Sequence, residues 1–347
     1  MTAPRNVVIA AAQVPFQRGG AEWHVEALHR ELLARGFRAE VVQVPFQWTP
    51  RTEALRSCLS WRLLDLTHAG GVPIDLLIAT RFPSYAARHP NKVLWLFHPF
   101  RQAYDLHEAG VDGFPDDEEG RRLRHQFIDL DTRLLKECRR VFTTSRNNAD
   151  RLRRFNDVEA EVLRLPLLDR DSWRCEAYEP WVLSVGRLEI LKRPELVVRA
   201  CAGLPPAMRV VVVGEGSQAD ALRFLARTLG VADRVDFLGR VDEPTLKSLY
   251  ARCGAVFYAP FDEDYGLVTL EAFHARKPVV TTTDAGGVLE FVRDGVTGVV
   301  AAPDPSAIAA AVERMLGQPD EARRLGEAGF AAVRDLGWDA VIDALTT

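Results

Sequence analysis

Short, continuous apolar runs alternate with amphipathic stretches along the chain. NVVIAAA at 6–12, AEVVQV at 39–44, IDLLIAT at 74–80, KVLWLF at 92–97 and RVFTTS at 140–145 each read as strands. Between the first two, AEWHVEALHRELLARG at 21–36 places apolar residues at helical spacing, with Gly36 as the stop. Strands apolar on both faces, alternating with helices, belong to parallel sheets covered on both sides. The expected fold is therefore α/β and doubly wound.

The alternation lapses in the proline- and charge-rich stretch around 166–180. It resumes with WVLSVG (181–186), MRVVVVG (208–214), RVDFLG (234–239), GAVFYAP (254–260), KPVVTT (277–282) and TGVVAA (297–302), and two further helices are expected over 305–347. This predicts an N-terminal Rossmann-like domain at 1–165 and a linker at 166–180. A second Rossmann-like domain follows at 181–330, and a C-terminal helix at 331–347 is expected to pack back on the first. Doubly wound sheets bind ligands at the carboxyl ends of their strands, so two such domains are expected to face a central cleft.

A chain of 347 residues suits two cores, and 47% apolar with 27% charged residues is ordinary for a globular enzyme. Cys58, Cys138, Cys175, Cys201 and Cys253 are odd in number and widely spaced, which reads as reduced thiols. No apolar run reaches the roughly 18 residues of a bilayer span. The opening MTAPRNVVIAAAQ lacks the regions of a signal peptide, so the expected location is cytoplasmic. Charge is uneven: residues 121–154 carry 11 Lys/Arg against 4 Asp/Glu. That stretch reads either as solvated helix faces or as a surface for an anionic or lipid-linked acceptor at the inner membrane face. It lacks the interleaved aromatics and motifs of a nucleic-acid site.

Four stretches carry candidate chemistry. In QVPFQRGGAEWHVEALHRELL, Gly19 and Gly20 precede a helix and allow close backbone approach to a ligand, although the spacing is not that of a dinucleotide fingerprint. In SVGRLEILKRPELV, Arg187 and Lys192 stand five apart across a turn. Cations at a helix start oppose its dipole, and an anion held between them would resolve the conflict. In VVVGEGSQADAL, Gly214 and Gly216 either admit a ligand or make the turn. In FDEDYGLVTLEA, Glu263 and Glu271 flank a helix start whose free N–H groups suit an anion. Two carboxylates beside a phosphate site can accept from sugar and ribose hydroxyls.

GGAE, VGRLEILKRPEL, VVGEGS, FLGRV, the E-x₇-E of EDYGLVTLE, KPVVTTTDAGGVLEFV and DGVTGVVAAPD occur in this order. The chain thereby resembles the retaining glycosyltransferases of family four, which have the two-domain GT-B architecture. The resemblance covers nearly the whole C-terminal half. It is thinner in the N-terminal half, where FPSYAARHPNKVLWLFHPFRQAYDL looks like a stretch of bacterial members. It implies a nucleotide-sugar-dependent, metal-independent hexosyltransferase with no cofactor. Arg187 and Lys192 would bind the donor diphosphate, Glu271 the ribose and Glu263 the transferred sugar. The Gly266–Leu267–Val268 backbone would meet sugar or phosphate, and Gly214 and Gly239 the nucleotide. Gly19 and Gly20 would close over the donor. His98, after a strand in LWLFHPF, stands where the family often places an active-site histidine. Arg101, Tyr104 and Asp105 are acceptor-side candidates. Where the family commonly reads E-G-F-G or E-P-F-G, this chain has Glu263-Asp264-Tyr265-Gly266, so Asp264 adds a charge beside the expected donor sugar.

Rival readings remain. Asp262-x-Asp264 imitates a metal-binding D-x-D. A two-carboxylate glycosidase would need no diphosphate clamp. A sugar phosphorylase, a nucleotide-sugar epimerase or a non-catalytic sugar-nucleotide-binding subunit could share the architecture. The base, the sugar and the acceptor are not legible.

Overall fold

A computed structural model describes residues 6–16, 19–47, 49–111 and 113–347. The opening MTAPR and the Gln17–Arg18 pair of the glycine-rich loop lie outside the described residues. The chain divides into two compact units, residues 1–166 with 337–347, and residues 167–336.

In the first unit, β1 (Asn6–Gln13), β2 (Arg38–Pro45), β3 (Leu76–Ala79), β4 (Lys92–Leu96), β5 (Arg140–Thr143) and the short β6 (Glu161–Val162) form one parallel sheet, ordered β2-β1-β3-β4-β5-β6. The apolar runs are central because they are covered on both faces, and Ile9, Ile78 and Leu94 are fully buried. Each such side chain contributes roughly 1.5–3 kcal/mol by leaving water. Helix α1 (Gly20–Ala34) follows β1, and α2 (Thr52–Leu63) follows β2. The basic stretch forms most of α3 (Glu118–Lys136) and α4 (Arg146–Asn156), on either side of β5. Many of its cations are already paired, among them Arg121 with Asp116, Arg153 with Glu159 and Arg154 with Glu108.

In the second unit, β7 (Glu179–Val185), β8 (Arg209–Val213), β9 (Val235–Gly239), β10 (Cys253–Phe257), β11 (Val279–Thr282) and β12 (Gly298–Ala301) are also parallel, ordered β9-β8-β7-β10-β11-β12. The order reverses between β7 and β10, which makes their carboxyl ends the switch point of this sheet. The helices are α5 (Glu195–Ala200), α6 (Ala219–Thr228), α7 (Glu243–Arg252), α8 (Leu267–His274), α9 (Pro305–Gly317) and α10 (Pro319–Val333). The final helix, α11 (Trp338–Thr346), groups with the first unit, where Trp338 packs edge-on against Trp95 of β4. Residues 305–347 thus form three helices, not two. Pro319 opens a new helix after the α9 end because proline fits a first-turn position and not a helix interior.

The five cysteines are free thiols, three of them buried. No helix among the described residues is long and apolar enough to cross a membrane.

Candidate active site

Strand β7 ends at Val185, and the chain turns through Gly186 into a one-turn 3-10 segment, Ile190–Lys192, before α5. A crevice opens here between the ends of β7 and β10, lined by Gly186, Arg187, Lys192, Tyr258 and Ala259 among others. Arg187 is exposed, and its side chain makes no ion pair or hydrogen bond among the described residues. Lys192 donates to Glu263 Oε2 and lies 5.9 Å from the Tyr258 ring centroid. The cation expected to oppose a helix dipole is therefore met, in the free protein, by a carboxylate.

Glu263 sits on the loop after β10. Tyr258 is hydrogen-bonded to it and is held well above the ordinary tyrosine pKa, chiefly by burial and then by the Glu263 charge. Gly266 caps α8 with φ of 84°, a left-handed conformation that costs an ordinary residue about 1 kcal/mol or more. A Cβ there would also meet Val288 and Tyr258 at 2.9 and 3.1 Å. Leu267 and Val268 then form the first turn of α8, as expected of a helix start near 266.

Glu271 lies one turn further on and does not line the crevice. Tyr250 of α7 donates to its Oε2 at 2.7 Å. Burial raises the Glu271 pKa, and the Tyr250 bond only partly offsets this. Arg187 and Lys192 thus meet at the switch point, with Glu263 brought there by its bond to Lys192, while Glu271 occupies a neighbouring, half-buried position on α8.

The first glycine of the second turn has a structural use that the spacing does not reveal. Gly214 has φ of 137°, and a Cβ there would lie 1.9 Å from the Gly186 carbonyl oxygen. The space its missing side chain leaves is filled by the Gly186 turn, so Gly214 fits two loops together. The pair is fastened by Leu188 N to Glu215 O at 2.9 Å and by Ser217 Oγ to Glu189 at 2.6 Å. Gly239, with φ of 66°, faces open space, where a Cβ would meet nothing within 4 Å; its carbonyl accepts from Gly214 N at 2.8 Å.

In the first unit, Gly19 caps α1, and its N–H donates to Glu22 Oε2 at 2.8 Å. Gly20 is the exposed first residue of the helix. Glu22 also accepts from the buried Arg81 at 2.9 Å, and Arg81 bonds the Ala12 carbonyl at the end of β1. His98 follows β4, half-buried, with Nδ1 3.1 Å from Pro99 O. His24, buried edge-on against Phe97 with its ring centroid at 4.4 Å, has a pKa lowered to about 3, first by burial and then by His98.

Of the acceptor-side candidates, Tyr104 needs correction. Tyr104 is a core residue, its hydroxyl donating to the buried Asp131 at 2.5 Å and accepting from Asn156 at 2.8 Å. Arg101 and Asp105 close on each other at 2.6 Å, with Arg151 3.6 Å from Asp105. A loop following a strand looks alike in sequence whether its aromatic points inward or outward, which is why Tyr104 misled. Tyr258, Tyr250, Arg193 and Asp131 were missed. Each reads in sequence as a core aromatic or as part of a solvated charge run. Among the described residues no group of three or more His, Cys, Asp or Glu side chains could hold a metal.

Residues 169–331 match the family described as glycosyl transferases group 1. The D-inositol 3-phosphate glycosyltransferase of Mycobacterium avium is 38% identical over 174 residues, covering 48% of this chain and 41% of that protein. The chain thus matches less than half the length of that relative. The glycogen synthase of Mycobacterium tuberculosis is 29% identical over 97% of this chain and 78% of its own. The crystal structure of Anabaena Alr3699/HepE in complex with UDP and glucose superposes with a TM-score of 0.70 at 17% identity, over 98% of both chains, a likeness of fold. Residues 169–331 thus carry a likeness to the group 1 glycosyl transferases, and the two Rossmann-like parallel sheets are those of the GT-B fold.

Proposed function

We propose that the protein transfers a sugar from a nucleotide-diphosphate sugar to an acceptor hydroxyl, with retained anomeric configuration and without a metal. The observation that carries this is the meeting of Arg187, Lys192 and Glu263 at the β7/β10 switch point. Among the described residues Arg187 has no carboxylate partner there, Glu189 being turned to Ser217, and a diphosphate supplies the negative charge it lacks. On binding, the phosphate oxygens draw Lys192 from Glu263. The freed carboxylate then accepts from hydroxyls of the donor sugar. Glu271 has one oxygen on Tyr250, and in this reading its second accepts from ribose hydroxyls.

The acceptor hydroxyl attacks on the face the nucleotide leaves, and the departing phosphate oxygen takes its proton. The new bond joins acceptor oxygen to the anomeric carbon as the carbon–phosphate-oxygen bond breaks. Arg187 and Lys192 stabilise the leaving charge, so catalysis is positioning plus electrostatics. With positive charge supplied by side chains, no divalent ion is required. A fold neighbour holding UDP and glucose supports a nucleotide-sugar donor. The basic surface of α3 and α4 supports an anionic acceptor.

A thermal-shift panel of UDP-, GDP-, ADP- and TDP-sugars tests the reading. One of them is expected to raise Tm by mass action, and Arg187→Ala is expected to abolish that shift. Product analysis with and without an added sugar or polyol acceptor follows, in buffer with and without EDTA. Release of free sugar phosphate, epimerised donor, or EDTA-sensitive turnover would each replace this proposal with a rival.

A further inference from the structure

Arg193, directly after Lys192, has φ of 47° and ψ of 44°, the left-handed region that a glycine enters without penalty. Its side chain shows what holds an arginine there. Nε donates to Ala259 O at 2.9 Å, and one terminal nitrogen to Pro260 O at 3.1 Å, both on the segment that leaves β10. The two terminal nitrogens grip Asp284 bidentately at 2.7 and 2.8 Å, and one also reaches Thr282 Oγ1 at 2.9 Å. Thr282 Oγ1 in turn donates to Asp284 at 2.8 Å. Burial pushes the Asp284 carboxyl up, but the bonds from Arg193 and Thr282 outweigh it and hold its pKa below the ordinary value.

Main-chain bonds carry this grip to the crevice. Asp284 O accepts from Asp262 N at 2.9 Å, Ala285 O accepts from Glu263 N at 3.2 Å, and Gly287 N donates to Glu263 O at 2.7 Å. Phe261 N donates to Leu191 O at 2.8 Å, which ties the same loop to the turn bearing Lys192. One guanidinium therefore joins the segment of Lys192, the segment of Glu263 and the end of β11. We propose that Arg193 is a positioning residue that sets Lys192 against Glu263, and through them the donor sugar relative to its diphosphate. This rests on the function proposed above. Neither lysine nor glycine can replace the planar, multidentate fork.

Two variants separate a clamp from a backbone requirement. Arg193→Gly removes the strain and the fork together; Arg193→Gln keeps the strain and removes the fork. A position that needs only left-handed geometry is improved, or left unchanged, by glycine. The clamp predicts that both variants lose it.

The deciding readout needs no donor. Lysines are ¹³C-dimethylated, and the Lys192 NMR signal is assigned by its absence in Lys192→Arg. In the wild type, Glu263→Gln is expected to move that signal. In Arg193→Gly and Arg193→Gln the same change is expected to leave it in place, because the pair has already parted. Retention of the Lys192–Glu263 coupling in a folded Arg193 variant overturns the proposal. Should both variants fail to fold, Asp284→Asn, which removes half of the bidentate grip, is read in the same way.

With the nucleotide sugar identified by the panel, kcat is expected to fall about 100-fold in Arg193→Gln while donor KM stays within about threefold. That is the scale of loss for a displacement of about 1 Å. A panel in which UDP-, GDP-, ADP- and TDP-sugars all fail to bind the wild type removes the functional reading and leaves the Lys192 signal to decide the clamp.

Discussion

The two units begin alike, with a buried parallel strand, a glycine turn and a helix, yet they charge those turns in opposite ways. In the first unit Glu22 bonds the Gly19 amide and neutralises Arg81, and the neighbouring His24 is held neutral by burial. In the second, Arg187 is exposed and Lys192 is paired with Glu263. Among the described residues the first turn pairs its charges, while the second leaves Arg187 exposed and without a carboxylate partner. The same sheet physics builds both, and function resides in what the turns present.

Removing a cation from the second turn gives the largest expected effect. Lys192→Ala should lower kcat by about 10²–10³, the scale for losing one stabilising group on a developing charge. Thermal stability should change little, because Lys192 and Glu263 are both partly solvated. A kcat within tenfold of the wild type would assign the charge work elsewhere and erase the contrast between the two turns.

Much of this contrast was legible in the sequence. Continuous apolar runs announce parallel strands because both faces are buried. G-R-L-x₃-K and E-x₇-E mark turns whose residues are local in sequence. What escaped joins distant positions. Tyr250 meets Glu271 across 21 residues, Arg193 meets Asp284 across 91, and Tyr85 meets Asp131 across 46. Periodicity reports which face is buried and not which polar tips meet there. Gly214 illustrates the converse: the glycine is needed because a neighbouring turn fills the space of its side chain.

Each unit also bonds a carboxylate to tyrosine hydroxyl, the acid fully buried in the first unit and half-buried in the second, and these extend the comparison to stability. Asp131 of α3 accepts from Tyr85 and Tyr104, yet burial raises its pKa to about 6. The folded state therefore holds this proton more tightly than the unfolded state. The Asp131 contribution to stability is most favourable below pH ~4, declines as pH rises to ~6, and is flat above, a change of about 3 kcal/mol. Carboxylates with lowered pKa, such as Asp284, act in the reverse sense, so total stability is not the readout. The difference between wild type and Asp131→Asn is. Urea unfolding at pH 4.5 and 7.5 should favour the variant, relative to wild type, at the higher pH. A difference that is the same at both values rules out burial of the charge as the cause.

In the second unit the arrangement is leaner, with Tyr250 donating to Glu271 at 2.7 Å. Tyr250 is fully buried and packs edge-on against Trp173 at 5.2 Å. Tyr250→Phe keeps that packing and removes one donor from a half-buried acid, at a cost of about 1–3 kcal/mol. Burial already raises the Glu271 pKa, and loss of the donor raises it further. The variant can then recover part of its loss by taking up a proton. The deficit should therefore be larger at pH 8 than at pH 5, as measured by urea unfolding. An equal deficit at both pH values would mean that packing around the ring, and not the charge on Glu271, sets the cost. Glu271 would then be free of Tyr250's influence, and the likeness between the two tyrosine-bonded acids would fail.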